Sequence, residues 1–200
     1  MPMAPYLPEN GVQYARRFAL HEQVPEGDRL FYYSPGDNCT NFISQCVWAA
    51  YGGWLSYAPT AVNASRIRQD VRMVGGVWYG SYWHIGSVRW CRVEEFYTYV
   101  TAVKARGPVA AQIAAGTFDT VDPSVLRRGD VVQMVVATYV PDRFGHGLYV
   151  TEPGTGWDEV RVCCQSYDRL DAPMAEFARY PDIYTCLLYT SDAADEGLGV

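Results

Sequence analysis

Lysine is almost absent from this chain: Lys104 is the single lysine among 200 residues, and the net charge is −6 at pH 7. A protein that binds nucleic acid neutralises phosphate groups with clustered lysine and arginine side chains. The sequence has no basic stripe of that kind. We therefore expect no nucleic-acid partner.

Long apolar runs are also missing. No segment provides the roughly 20 consecutive apolar residues that a membrane-spanning helix needs. Residues 1–5 do not form the charged and then apolar leader that is typical of a secretory signal. We expect no membrane span and no export signal in this chain, and we leave its cellular location open.

The six cysteines are unevenly spaced and do not resemble a disulfide framework. Cys163 and Cys164 are adjacent in a predicted strand, where their side chains would point to opposite faces. No cysteine has the spacing to a histidine that a metal site requires. The sequence therefore predicts neither a metal site nor another cofactor.

The length and the 49% hydrophobic content favour one compact domain, which we place at residues 1–185 and expect to be a monomer. Residues 186–196 resemble the translated read-through of a sequencing-library adapter. We therefore interpret residues 186–200 as a non-native tail and exclude it from the fold. A natural acidic tail is the alternative.

The strongest chemical signal is a cysteine at the start of a predicted helix. Residues 35–38 are turn and cap residues, and Cys39 follows them directly. The unpaired amides at a helix start favour a thiolate and can bind an oxyanion, whereas the carboxylate of Asp37 favours the neutral thiol. Cys39 is thus a candidate nucleophile, and a small buried apolar residue is the alternative. The helix is predicted from apolar residues at three- and four-residue spacing, namely Phe42, Ile43, Cys46, Val47 and Ala50.

A thiol nucleophile needs a base, and the chain has three histidines. His21 lies in the helical stretch 14–23 and is interpreted as a solvated helix residue. His84 lies in the aromatic loop 78–84, where it either contacts substrate or packs against its neighbours. His146 opens the predicted strand 147–151, and an imidazole there can take the thiol proton and return it to a leaving amine. We predict His146 as the base.

A third catalytic residue is less sharply defined. Predicted strands at 128–136, 147–151 and 160–166 are joined by short turns, which favours an antiparallel meander. The two-residue period of strands places Ser166, and Asp168 if the strand continues, on the face of His146, while a one-residue slip brings Gln165 there. Asp168 would stabilise an imidazolium, and Gln165 or Ser166 would hold its tautomer. An ordinary strand end is the alternative for all three.

Aromatic residues are concentrated between residues 51 and 90. They suit an aromatic-walled groove for peptide or glycan, but we expect most of them in the core. Residues 58–90 are predicted to form long loops with one short helix at 63–71, and loops of this length often wall a cleft. A further helix is predicted at residues 93–106.

Residues 37–46, and especially the run from Cys39 to Cys46, resemble the signature of the bacterial putative amidase domain, a papain-like relative of the NlpC/P60 and CHAP cell-wall hydrolases. Further segments resemble that family in the same order and extend the resemblance over residues 10–180: 14–17, 87–90, 126–132 and 145–151. The chain departs from the family at Asn38, where an aspartate is usual, and at Ser166, where a histidine is usual.

The resemblance implies an α+β, papain-like fold in which the Cys39 helix packs on an antiparallel sheet. It implies hydrolysis of amide bonds in bacterial cell-wall peptides, through attack by Cys39 and a thioester that water resolves. We assign Asn38, Gln165 and Trp90 to oxyanion stabilisation or substrate binding. The alternatives are an inactive peptide- or glycan-binding module and a transglutaminase-like acyl transferase.

Overall fold

A computed structural model describes residues 4–138 and 143–192, with side chains described as far as residue 184. Within these residues the fold is α+β, as predicted, with a six-stranded antiparallel sheet in the order β1-β6-β2-β3-β4-β5. The strands are β1 (Ala110–Gly116), β2 (Val131–Val136), β3 (Phe144–Glu152), β4 (Arg161–Cys164), β5 (Arg169–Pro173) and β6 (Tyr184–Asp192).

The helices of the described chain are α1 (Pro8–Phe18), α2 (Cys39–Ala50), α3 (Thr60–Arg68), α4 (Val88–Cys91), α5 (Val93–Thr101) and α6 (Ala175–Ala178). Helix α1 ends before the predicted residue 23. Its last carbonyls, those of Phe18 and Ala19, accept hydrogen bonds from the Gln165 side chain, and this contact satisfies the helix end. His21 consequently lies in a short 3-10 turn.

Helix α5 also ends earlier than the predicted residue 106. Ala102 has an extended backbone, with φ −74° and ψ 141°. The ammonium of Lys104 donates hydrogen bonds to the carbonyls of Tyr99, Val100 and Ala102. A cation on the last carbonyls of a helix is a favourable end, because these groups have no partner within the helix.

Helix α2 lies at the centre of the fold. Each of its residues is buried, and it packs against α1 and strand β3. Gly147 of β3 has no side chain, and Ile43 occupies the space beside its Cα. The helix therefore lies close to the sheet near its own N-terminal half.

The sheet separates two apolar clusters. Tyr149 and Cys163 are paired across β3 and β4 and belong to the cluster on the α2 side. The predicted common face of Leu148, Val150, Val162 and Cys164 is present, but it belongs to the cluster on the other side, together with Phe177. The alternation of the strands was therefore predicted correctly, and the face opposite α2 carries these residues.

Strand β6 crosses the predicted domain boundary at residue 185. The backbone of residues 186–192 pairs with β1 on one side and β2 on the other. Residues 193–200 of the predicted tail lie outside the described part of the chain, and the non-native origin of the tail stays a prediction. Among the described residues, no helix is both long enough and apolar enough to cross a membrane.

Candidate active site

Cys39 is the first residue of α2, as the sequence predicts. The carbonyl of Asn38 accepts the first helical hydrogen bond, from the amide of Phe42, at 2.9 Å. Among the described residues, no acceptor is found for the amides of Cys39 and Asn41. The start of the helix therefore offers unpaired N–H donors beside the thiol.

Cys39 is buried, with 6% of the residue exposed. Its Sγ lies 3.7 Å from Oγ1 of Thr40 and 4.0 Å from the carbonyl oxygen of Gly145. Burial raises the pKa of the thiol, hydrogen bonding by Thr40 lowers it, the charge of Asp37 raises it, and the amide of Gly147 lowers it. Asp37 acts in the predicted direction. Because burial is the largest of these causes, the net shift is upward, against the lowering that the amides of a helix start favour.

His146 lies on the face that we predicted, but its imidazole is not hydrogen-bonded to the thiol in the described structure. The ring centroid is 6.2 Å from that of Phe177, on the side of the sheet away from α2. Burial, with a smaller contribution from the charge of Arg169, lowers the pKa of His146 to about 4. Cys39 thus approaches the backbone on both sides of His146, while the neutral imidazole faces Phe177.

Three predicted site residues meet just before Cys39. The amide of Asn38 donates to Oγ of Ser166 at 3.0 Å, and Nδ2 of Asn38 donates to Oε1 of Gln165 at 2.6 Å. Gln165 in turn donates to the carbonyl of Phe18 at 2.7 Å. This contact set fastens the turn that carries the thiol to the end of α1 and to the segment after β4. Neither Gln165 nor Ser166 forms a hydrogen bond with His146 in the described structure.

Asp168 contacts a different histidine. Its Oδ2 accepts a hydrogen bond of 2.8 Å from the backbone amide of His21. The His21 ring stacks on Tyr33 with 3.6 Å between centroids. Burial raises the pKa of Asp168, and the His21 contact lowers it. The carboxylate therefore stabilises the turn after α1 in this structure, and it forms no hydrogen bond to the imidazole of His146.

Trp90 is fully buried, so the assignment of its side chain to substrate binding is not supported by its position. Its ring packs against Phe31 and Trp78. Its Nε1 donates to Oδ1 of Asn41 at 2.7 Å. Trp90 is therefore linked to the start of α2 through Asn41, two residues after Cys39.

Asn41 is a residue that the sequence reasoning missed. Its Oδ1 accepts from Trp90 and also from Nε2 of Gln45, at 3.1 Å. Its Nδ2 donates to the carbonyl of Tyr32 and to Oδ1 of Asn38, both at 2.8 Å. The sequence did contain a signal for this network. Asn41 and Gln45 are amide side chains four residues apart in an apolar helix, and buried amides require hydrogen-bond partners.

The described residues contain no group of three or more histidine, cysteine, aspartate or glutamate side chains arranged to hold a metal ion.

The family described as "Putative amidase domain" matches residues 5–189. The chain belongs to this family. No curated protein and no solved structure gives a significant match. The family description suggests hydrolysis of an amide bond, which is a C–N bond. The α+β fold of this chain places a cysteine at a helix start, with unpaired amides beside it.

Proposed function

We propose that this protein is a papain-like thiol amidase, with Cys39 as the nucleophile and His146 as the base. The observation that supports this most directly is the 4.0 Å approach of Cys39 Sγ to the carbonyl of Gly145, the residue before His146. A nucleophile and its base must lie within reach of each other, and the contact often tightens only when substrate binds. The family membership supports the bond class.

The start of α2 supplies the oxyanion site in this proposal. The unpaired amides of Cys39 and Asn41 lie at the positive end of the helix. When the thiol attacks the carbonyl carbon, the carbonyl oxygen takes the negative charge, and fixed N–H donors stabilise it. Asn38, with Ser166 and Gln165, holds the turn in place and is a positioning residue.

The proton follows the order of general base catalysis. With a raised thiol pKa and an imidazole pKa of about 4, both groups are neutral at pH 7. The imidazole turns from Phe177 toward Cys39 when substrate binds, takes the thiol proton as the C–S bond forms, and gives it to the amine as the C–N bond breaks. Water then attacks the thioester with His146 as the base, and the carboxylic acid and free thiol are released.

The proposed substrates are the peptides of the bacterial cell wall. This choice depends on the resemblance of residues 37–46 to the papain-like cell-wall hydrolases. It does not select among γ-D-glutamyl, N-acetylmuramoyl and ordinary peptide bonds.

A non-catalytic peptide- or glycan-binding module is the second candidate. The nearly complete burial of Cys39 and the orientation of His146 toward Phe177 favour it, because a reactive thiol is normally exposed and close to a cation.

Release of new amino groups from purified cell-wall peptides distinguishes the two functions. We expect release by the parent protein and none by Cys39→Ser or His146→Ala. His21→Ala is the matched control, because His21 lies near the same turn and has no catalytic role in the proposal. Acid quenching during turnover should trap an acyl adduct, detected by mass, on the peptide that contains Cys39.

Undiminished release by Cys39→Ser would exclude the thiol mechanism. If the parent protein releases no amine but binds the same peptides, the module is the correct function.

A further inference from the structure

The loop of residues 79–87 has a fixed base. The amide of Tyr79 donates to Oγ of Ser87 at 3.2 Å, and the amide of Ser87 donates to the carbonyl of Tyr79 at 2.9 Å. Gly80 lies directly against Trp90, where a larger residue would collide with the ring. The amide of Tyr32 donates to the carbonyl of Ser81 at 2.9 Å. The base of the 79–87 loop is therefore built into the core.

The tip of the same loop presents aromatic rings to solvent. Trp83 is 76% exposed and Tyr82 is 41% exposed. The two rings meet edge to face, with 4.8 Å between centroids. Exposing an indole forgoes the stabilisation that its burial would give, and exposed aromatic patches commonly mark binding sites. A rigid base under an exposed aromatic tip is typical of a recognition loop.

The tip forms one wall of an open groove of about 520 Å³, which we call the 79–87 groove. Arg68 and Asp70, at the end of α3 and just beyond it, form another wall. In the described part of the chain, neither side chain forms a hydrogen bond or an ion pair. The groove therefore combines aromatic ring surfaces with polar side chains that are free to hydrogen-bond to a ligand.

His84 adds a directed donor to the groove. Its Nδ1 accepts a hydrogen bond of 3.2 Å from the amide of Gly86. In a neutral imidazole whose Nδ1 accepts, the proton is on Nε2, which is then a donor. The ring also meets Tyr79 edge to face, with 6.1 Å between centroids, and this contact orients it.

We propose that the 79–87 groove binds an uncharged carbohydrate. The C–H faces of a pyranose ring are apolar and flat enough to stack on Trp83, while its hydroxyl groups both donate and accept hydrogen bonds. Asp70 is an acceptor, and Arg68 and His84 are donors, so both hydroxyl functions are matched. The opposite charges of Arg68 and Asp70 cancel, which favours a neutral ligand over an anion.

This site is separate from the thiol but connected to it. Tyr32 contacts Ser81 through its amide, and its carbonyl accepts from Asn41 in the first turn of α2. A glycan held in the groove would therefore lie on the side of the domain from which α2 begins. The binding proposal does not depend on hydrolysis, and it holds for either function proposed above.

Calorimetric titration with the β-1,4-linked tetramer of N-acetylglucosamine tests the proposal in the full-length Cys39→Ser protein. We expect saturable binding that is about tenfold weaker in Trp83→Ala, the usual scale for removing an aromatic contact at a binding site. Tyr57→Ala is the matched control, because Tyr57 is 84% exposed and lies outside the groove. Its affinity should equal that of the parent.

Fluorescence provides an independent readout. Saturating tetramer should protect Trp83 from quenching by acrylamide. Asp70→Asn or Arg68→Ala should weaken this protection without unfolding the protein, because both residues are exposed. The proposal is wrong if the tetramer does not bind, or if Trp83→Ala and Tyr57→Ala bind equally well. It is also wrong if an uncharged peptide protects Trp83 and the tetramer does not, and this result would identify a peptide site. Release of amino groups from cell-wall peptides measures the proposed hydrolysis, so failure of the binding proposal and failure of the proposed function are distinguishable.

Discussion

The backbone amide of Asn38 donates a 3.0 Å hydrogen bond to the hydroxyl of Ser166, 128 residues further along the chain. Ser166 stands where the family resemblance predicts a histidine, and Asn38 directly precedes Cys39. Both residues are buried, so water does not readily replace this bond. In this chain Ser166 therefore supports the turn that presents the thiol, through the backbone.

Replacing Ser166 with alanine should reduce the free energy of unfolding by about 1–2 kcal/mol, because the buried amide of Asn38 loses its acceptor. Urea denaturation measures the change. Ser56→Ala, at an exposed position, removes a hydroxyl group at the surface and should change stability by less than about 0.5 kcal/mol. Equal effects of the two substitutions would show that the Asn38 contact contributes nothing.

Local patterns predicted the parts of the fold that depend on neighbouring residues. The helical spacing that starts at Phe42 and the turn before Cys39 correctly placed the cysteine at a helix start. The alternation around Leu148 gave the correct face grouping in the meander. These patterns are periodic, and the periods of helix and strand are fixed by backbone geometry.

Contacts between segments that are distant in the chain could not be predicted from such local patterns. Trp90 and Asn41 are 49 residues apart, and nothing in either segment alone indicates their hydrogen bond. The face of His146 was predicted, but the sequence does not reveal that α2 packs on the opposite face. Strand β1, whose sequence is AAQIAAG, has Ile113 as its single β-branched residue and no aromatic residue, so its sequence marks a strand only weakly, and it pairs with β6.

Asn41→Ala should be more destabilising than Ser166→Ala, by about 3 kcal/mol relative to the parent. The substitution removes the acceptor of Trp90 Nε1 and of Gln45 Nε2, and it leaves both buried donors unpaired. Thermal or urea unfolding followed by tryptophan fluorescence measures it. Gln13→Ala is the control, because its exposed amide forms a single long contact with Glu9. A loss below about 1 kcal/mol would contradict the role given to this network.

Gly147→Ala tests the close packing of α2 on β3. The new methyl group would collide with Cδ1 of Ile43, and overpacking in a core typically costs about 1–3 kcal/mol. Ile43→Val removes that carbon and by itself should cost about 1 kcal/mol. In the double variant the two costs should not add, because each substitution relieves the other.

A double-mutant cycle in urea measures the coupling between positions 43 and 147. Simple additivity would show that the methyl group added at position 147 does not clash with Cδ1 of Ile43, because the backbone at Gly147 moves away from α2. In that case the approach of the Cys39 turn to this strand would not depend on the glycine.

His146 predicts a specific dependence of stability on pH. Its pKa falls from 6.5 to about 4 on folding, because burial disfavours the imidazolium and Arg169 adds a repulsive charge. Between these values the unfolded chain binds a proton at His146 that the folded chain does not. The free energy of unfolding should therefore be full above about pH 6.5 and fall as the pH drops toward 4, by on the order of 2 kcal/mol.

His146→Asn should remove this part of the pH dependence, and urea denaturation at pH 7.5 and pH 5 measures the difference between variant and parent. His84→Asn, which removes an exposed imidazole, controls for the loss of a histidine as such. If the parent and His146→Asn lose equal stability between the two pH values, the imidazole is protonated in the folded protein at pH 5. The buried position of the ring beside Phe177 would then not exclude its charged form.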